Sequence, residues 1–293
     1  MKIIDIHTHG IGGFDTRTAS EEHILKIAEI QGSLGVSGIV PTVYPSTIDA
    51  MRENMHAIKK ALAKQTCAGV TSQIPEAKII GIHLEGPFLN PSKCGALGPA
   101  SFIKATEYNL NKLIDGFEDV IKIITIAPEM EGAIDIIKAT SRKGIIASMG
   151  HSDSSYAEAE AGFRAGARCV THIFNAMRGL HHREPGLAGF GLMNSDIYIE
   201  VIADPFHLDR RIMEFIFSVK NTDKIIIISD SVQATNTVRP PHRIRNEDDI
   251  LLGGSLTIKE AAEQLIREGL DQAIVIKSLS ENPREYLQLG FIQ

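Results

Sequence analysis

The sequence predicts an α/β fold, a (β/α)8 or TIM barrel, and three observations carry that expectation. Eight short apolar, β-branched runs recur along the 293 residues. Each is followed by a polar or glycine-containing break and then, in most cases, by a stretch whose apolar residues have helical spacing. The side chains best suited to chemistry fall at the ends of the runs.

The runs span residues 2–9 (KIIDIHTH), 35–44, 77–86, 120–129, 143–151, 169–175, 197–204 and 223–230. They are almost continuously apolar, as parallel strands covered by helices on both sides are. The first helical segment, SEEHILKIAEIQGSLG, offers Ser20 as an N-cap, acidic residues where the helix dipole favours negative charge, and a closing glycine. TIDAMRENMHAIKKALAKQ, EGAIDIIKATSRK, SSYAEAEAGFRAG and DRRIMEFIFSVKN have comparable spacing, and SLTIKEAAEQLIREG follows the last strand. Eight strand–helix units suit closure into one barrel over 1–293, with an open doubly wound sheet as the rival.

Composition narrows the class of protein. With 43% apolar and 23% charged residues the chain reads as soluble, and no segment approaches the roughly 20 apolar residues of a membrane span. The first strand begins at Lys2, which leaves no room for a signal peptide, and Cys67, Cys94 and Cys169 form no CxxC pair. A cytoplasmic protein is expected. A net charge of −6 gives no support to a nucleic-acid partner.

His7 and His9 end the first run, Glu85 the third, His151 the fifth, His172 the sixth and Asp230 the eighth. In a parallel barrel all strand C-termini share one face, where active sites of this architecture form, so these residues are expected to converge. His7 and His9, at i and i+2 on a strand, face the same side. Four imidazoles with carboxylates suit zinc, iron or manganese better than magnesium, which favours oxygen ligands. With two metals, Glu85 can bridge them, His7 and His9 holding one and His151 and His172 the other. With one, the His7–His9 pair stands behind the ligands. A strand-end histidine standing alone is more often an ordinary hydrogen-bonded residue, and His23 and His56, on helical segments without partners, are read that way. A cation that acidifies water makes hydrolysis the natural reaction class, with Asp230 placed to take and deliver the proton. There is no GxSxG elbow, CxxC pair or P-loop.

The motifs GIHLEGPFLNPSKCGA, TIAPE, GHSDSSYAEAEAGFRAGARCVTHIFNAM, REPGLAG, IADPFHLD, IIISDS and GGSLTIKEA resemble, in order and spacing, the N-acetylglucosamine-6-phosphate deacetylase family of the amidohydrolase superfamily. The resemblance covers roughly residues 5 to 289 and implies a metal-dependent hydrolase barrel. It implies one or two divalent metals per chain, zinc or iron first and manganese third. Glu85, His151 and His172 would hold the principal metal, His7 and His9 would support a second, and Asp230 would be general base and then general acid. Asn175, Ala176, Leu251, Leu252 and Gly253 would contact the substrate. Arg183 and His207 would grip its phosphate, partly in the neighbouring site of a homodimer. The implied reaction converts N-acetylglucosamine 6-phosphate and water to glucosamine 6-phosphate and acetate. The alternatives are hydrolysis of another N-acyl amino sugar or cyclic amide, or a catalytically weak sugar-phosphate-binding protein.

Three departures from the family pattern stand out. The small β-sandwich that normally flanks the family's barrel is expected to be missing here. Leu97 stands where many members carry a histidine that polarises the acetamide carbonyl, and leucine cannot donate a hydrogen bond. The segment 231–250 resembles the family weakly, though its PPHRIR stretch could place basic groups near a phosphate.

Overall fold

A computed structural model describes residues 2–68, 76–238 and 241–290. Eight barrel strands, numbered here in chain order, are β1 Ile3–Thr8, β2 Val36–Val43, β3 Ile82–Glu85, β4 Ile121–Ile126, β5 Ile146–Met149, β6 Cys169–Val170, β7 Tyr198–Ile202 and β8 Ile225–Ile228. Each pairs in parallel with the next. The ring closes where β1 meets the end of β8. Thr8 and Ser231 form a parallel bridge, the His9 N–H donates to the Ser231 carbonyl at 2.7 Å, and the Asp230 N–H donates to the His7 carbonyl at 3.0 Å. The open-sheet rival is thereby set aside.

All eight predicted runs contain a strand, but several are shorter than expected. The sixth ends at Val170 because His172, Phe174 and Ala176 all take positive φ (29°, 73° and 47°), which a strand cannot accommodate. A short hairpin of Gly10–Ile11 and Phe14–Asp15 follows β1, and Lys78–Ile79 pairs with β2 ahead of β3.

The helices are α1 Glu21–Ser33, α2 Ile48–Ala68, α3 Glu107–Ile114, α4 Ala133–Arg142, α5 Tyr156–Ala165, α6 Gly186–Met193, α7 Arg210–Val219, α8 Ile258–Arg267, α9 Gln272–Leu279 and α10 Glu281–Tyr286. Ser20 caps α1 as expected, its hydroxyl accepting the His23 N–H. Capping boxes start α5 (Ser155 with Glu158) and α8 (Thr257 with Glu260). Helix α6 was not legible by period because nearly all of it is buried, and a helix apolar on every side has no stripe. It also needs its glycines: a Cβ on Gly191 would lie 3.2 Å from Val170 and 3.3 Å from Ile173 and Ile199.

The run Ile225–Ile228 shows how the core divides. Ile225 and Ile227 join the cluster between barrel and helices, whereas Ile226 and Ile228 join Ile4, Ile6, Val40 and Ile123 in a second cluster, made of strand residues and closed by Tyr286 and Leu287 at the end of α10. The barrel is thus filled below, leaving its C-terminal rim for polar residues.

Close backbone approach fixes that rim. A Cβ on Gly254 would fall 1.9 Å from the Ser229 carbonyl oxygen, beside the Gly254 N–H bond to the Asp230 carbonyl at 2.7 Å. Gly254→Ala is expected to lower unfolding free energy by about 1–3 kcal/mol in urea titration. An unchanged midpoint would contradict this packing.

Candidate active site

Six side chains from five strand ends meet at the rim. Glu85 Oε1 lies 3.1 Å from His151 Nε2 and 3.0 Å from His172 Nε2, and those two nitrogens are 3.2 Å apart. Beside this triangle, His7 Nε2 lies 3.3 Å from His9 Nε2, with Asp230 Oδ1 at 3.4 and 3.6 Å from them. Glu85 belongs to both groups: Oε1 is 3.4 Å from His7 Nε2 and Oε2 is 3.2 Å from His9 Nε2. All six are buried except Asp230, whose side chain is 14% exposed.

The donor set fits a divalent cation. The Nδ1 atoms of His7, His9 and His151 face acceptors, respectively Glu200 Oε2 at 3.0 Å, the Thr42 carbonyl at 3.1 Å and the Lys93 carbonyl at 2.9 Å. Each Nδ1 therefore carries a proton, and each Nε2 turns a lone pair inward. Lone pairs that close to one another and to carboxylates repel unless a positive charge sits among them. Ligands about 2.0–2.2 Å from a tetrahedral ion stand about 3.3–3.6 Å from each other. The His7–His9–Asp230 group has that spacing, and the Glu85–His151–His172 triangle is slightly tighter.

Charge within the cluster points to the same need for a cation: in its absence a proton on a ring would have to supply the positive charge. Burial works to raise the Glu85 pKa, but the adjoining imidazoles, His151 foremost, hold its carboxyl well below the usual range. Burial likewise disfavours a charged His7, yet Asp230, Glu200 and Glu85 outweigh it and hold that imidazole well above its ordinary value. His83 is different: both ring nitrogens are occupied, Nε2 by Thr125 Oγ1 at 2.9 Å and Nδ1 by the Ile6 carbonyl at 3.3 Å. It packs beneath His7, edge to face at 4.6 Å, with no lone pair to offer the rim.

Sequence reasoning missed Glu200. This fully buried carboxylate in β7 binds His7 Nδ1 through Oε2 and accepts the His172 backbone N–H on the same oxygen at 3.3 Å, so one atom positions both histidines. The signal was present: a glutamate inside the otherwise apolar run IYIEVI has no reason to be buried without a partner.

Above the cluster opens a cavity of about 820 Å³, lined by His9, Glu85, His151, His172 and Asp230 and also by Asn175, Ala176, His207, Leu251, Leu252 and Gly253. Leu97 is in its wall, packed with Tyr44 and Leu89. Arg183 is not: it is exposed, on the loop before α6, and does not line this chain's cavity. Within 231–250, residues 239 and 240 lie outside the described residues. Of the basic groups expected from that segment, Arg245 reaches the cavity but is ion-paired with Asp249.

Known proteins resemble this arrangement along most of the chain, although no family model matches it. N-Acetylgalactosamine-6-phosphate deacetylase of Escherichia coli O157:H7 is 30% identical over 278 residues, covering 95% of this chain and 71% of the relative. The chain belongs to the N-acetylglucosamine-6-phosphate deacetylase family. N-Acetylglucosamine-6-phosphate deacetylase of Bacillus subtilis (strain 168) is 36% identical over 235 residues, 79% of this chain, which spans 57% of that relative's length. Among solved structures, the deacetylase of that name from Thermotoga maritima superposes with a TM-score of 0.87 at 26% identity, covering 98% of this chain and 78% of that one. A Mycobacterium smegmatis variant in complex with N-acetyl-D-glucosamine-6-phosphate gives the same TM-score and identity, over 98% and 77%. Among the described residues, no helix of this family member is long and apolar enough to cross a membrane.

Because Glu200 holds His7 and His172 by hydrogen bonds, Glu200→Gln and Glu200→Ala are expected to weaken zinc affinity about 10–100-fold in chelator competition, with Glu200→Asp intermediate. Affinity equal to wild type in all three would remove Glu200 from the site.

Proposed function

We propose that this chain hydrolyses the acetamide of an N-acetylated amino-sugar 6-phosphate, releasing acetate and the free amine. The observation that carries the reading is the Glu85–His151–His172 triangle with Asp230 beside it, on the floor of a cavity wide enough for a sugar. Glu85, His151 and His172 would hold the principal divalent metal, and His7 and His9 a second, with the Glu85 carboxylate shared. Such a cation acidifies water and polarises a carbonyl.

The chain's own residues do the rest. Asp230, at the cavity edge of the cluster, accepts a proton from the attacking water and returns it to the departing nitrogen. Asn175, Ala176 and His207 address the phosphate from the β6–β7 side, joined by Arg183 from the neighbouring subunit of a homodimer. Leu251 to Gly253 lie along the sugar. Leu97 contributes only apolar surface, so no side-chain donor at that position assists the carbonyl; a second metal held by His7 and His9 would supply that polarisation. Zinc or ferrous iron suits the imidazole-rich set.

Leu97 in the wall and the weakly matching segment 231–250 also leave room for a second sugar configuration, the galacto isomer, which the E. coli relative's name specifies for that protein. Acetate release from N-acetylglucosamine 6-phosphate, its galacto isomer and unphosphorylated N-acetylglucosamine separates the readings. Release from none would leave hydrolysis of another amide, such as a cyclic one, or sugar-phosphate binding.

Asp230→Asn is expected to lower kcat about 10²–10⁴-fold with KM within a few-fold of wild type. A near-normal kcat would take the proton from Asp230. The active preparation is expected to contain two metals per chain; full activity with one would contradict the role given to His7 and His9.

A further inference from the structure

One wall of the cavity has no task in the reaction just described. Tyr44, at the end of β2, is stacked on His9 with ring centres 3.8 Å apart, and the Arg17 guanidinium lies 3.7 Å from the centre of the same ring. Two groups that close to one ring cannot share a face, so the phenol lies between the metal-ligand candidate and the arginine. Leu97 packs against Tyr44 from β3's side.

Arg17 and Arg245 are the two arginines lining the cavity, and no lysine does so among the described residues. Arg245 is ion-paired with Asp249. Arg17 has no carboxylate within ion-pair distance of its guanidinium among the described residues; the nearby Asp15 instead accepts the Arg17 backbone N–H at 2.7 Å. Stacking occupies the flat face of the guanidinium and leaves the N–H edge, its bidentate donor fork, open. An exposed arginine is usually a solvated charge, but this one is held by an aromatic ring in the wall of the substrate cavity.

Its position decides what it can meet. In the ring of eight strands, the wall formed after β1, β2 and β3 stands across from the residues after β6 and β7, where Asn175, Ala176 and His207 lie. On a pyranose, C2 and C5 are across the ring from each other. A hexosamine whose 6-phosphate faces β6–β7 therefore directs its 2-acylamino group toward Arg17, Tyr44 and Leu97. The acyl end is neutral as an amide and becomes a carboxylate when the C–N bond breaks and the C–O bond forms, with the water's protons ending on the amine.

We propose that Arg17, seated on Tyr44, forms a carboxylate subsite at the acyl side of the cavity, an inference that rests on the deacetylase reading. Two sources supply the same chemistry: the short acid released by hydrolysis, or an N-acyl chain that itself ends in a carboxylate.

The test compares metal-loaded wild type, Arg17→Met and Arg17→Lys. Product inhibition by acetate is expected to weaken at least about 10-fold in Arg17→Met and to recover partly in Arg17→Lys, with KM for N-acetylglucosamine 6-phosphate within twofold. If the carboxylate belongs to the acyl chain, acetate inhibition stays put while kcat/KM for N-succinylglucosamine 6-phosphate, relative to the N-acetyl compound, falls about 10-fold or more. Either result supports the subsite. No change in both, or an equal loss for every ligand, overturns it. Should the wild type hydrolyse none of these sugars, the deacetylase reading fails on its own. Calorimetric titration with sodium acetate and sodium succinate then decides Arg17: affinity for either at least 10-fold weaker in Arg17→Met supports the subsite, and equal affinity for both overturns it.

Discussion

Everything at the rim of this barrel depends on one carboxylate. Glu85 places Oε1 against His151 and His172 and Oε2 against His9, so a single side chain joins two groups of ligand atoms. A buried carboxylate surrounded by inward-facing imidazole lone pairs is costly without a compensating cation. That cost explains the surrounding construction. Thr42, Lys93 and Glu200 fix the outer nitrogens, and an apolar cluster that includes Ile4, Ile6, Ile226 and Ile228 fills the barrel below.

The backbone carries part of the same load. His151, His172 and Asp230 all adopt positive φ (47°, 29° and 47°), a region that costs a non-glycine residue about 1–3 kcal/mol. Three of the six converging residues thus stand on sharp turns that end their strands and aim their side chains at the centre. The close approach at Gly254 belongs to this pattern, because it pins the backbone on either side of Asp230.

Much of this was legible in the sequence. Nearly continuous apolar runs and the βα alternation located all eight strands, and the placement of His7, His9, Glu85, His151, His172 and Asp230 at strand ends brought distant residues to one rim. What escaped had physical reasons. Helix α6 is buried all round and shows no amphipathic stripe, and β6 is cut short by left-handed residues that no propensity reveals. Glu200 sits mid-strand, so a search confined to strand ends passes over it. Arg17 lies in the loop after β1, where an arginine reads as surface until the Tyr44 ring beneath it is seen. Arg183, chosen from resemblance, lies outside this chain's own cavity.

The central claim is that these six side chains form a cation site. Anomalous diffraction from crystals grown with zinc tests it directly. The account predicts a peak bounded by Glu85, His151 and His172 and a second beside His7 and His9, with Glu85 contacting both. Zinc found only elsewhere on the molecule, with the Glu85 cluster hydrogen-bonded among itself, would contradict it.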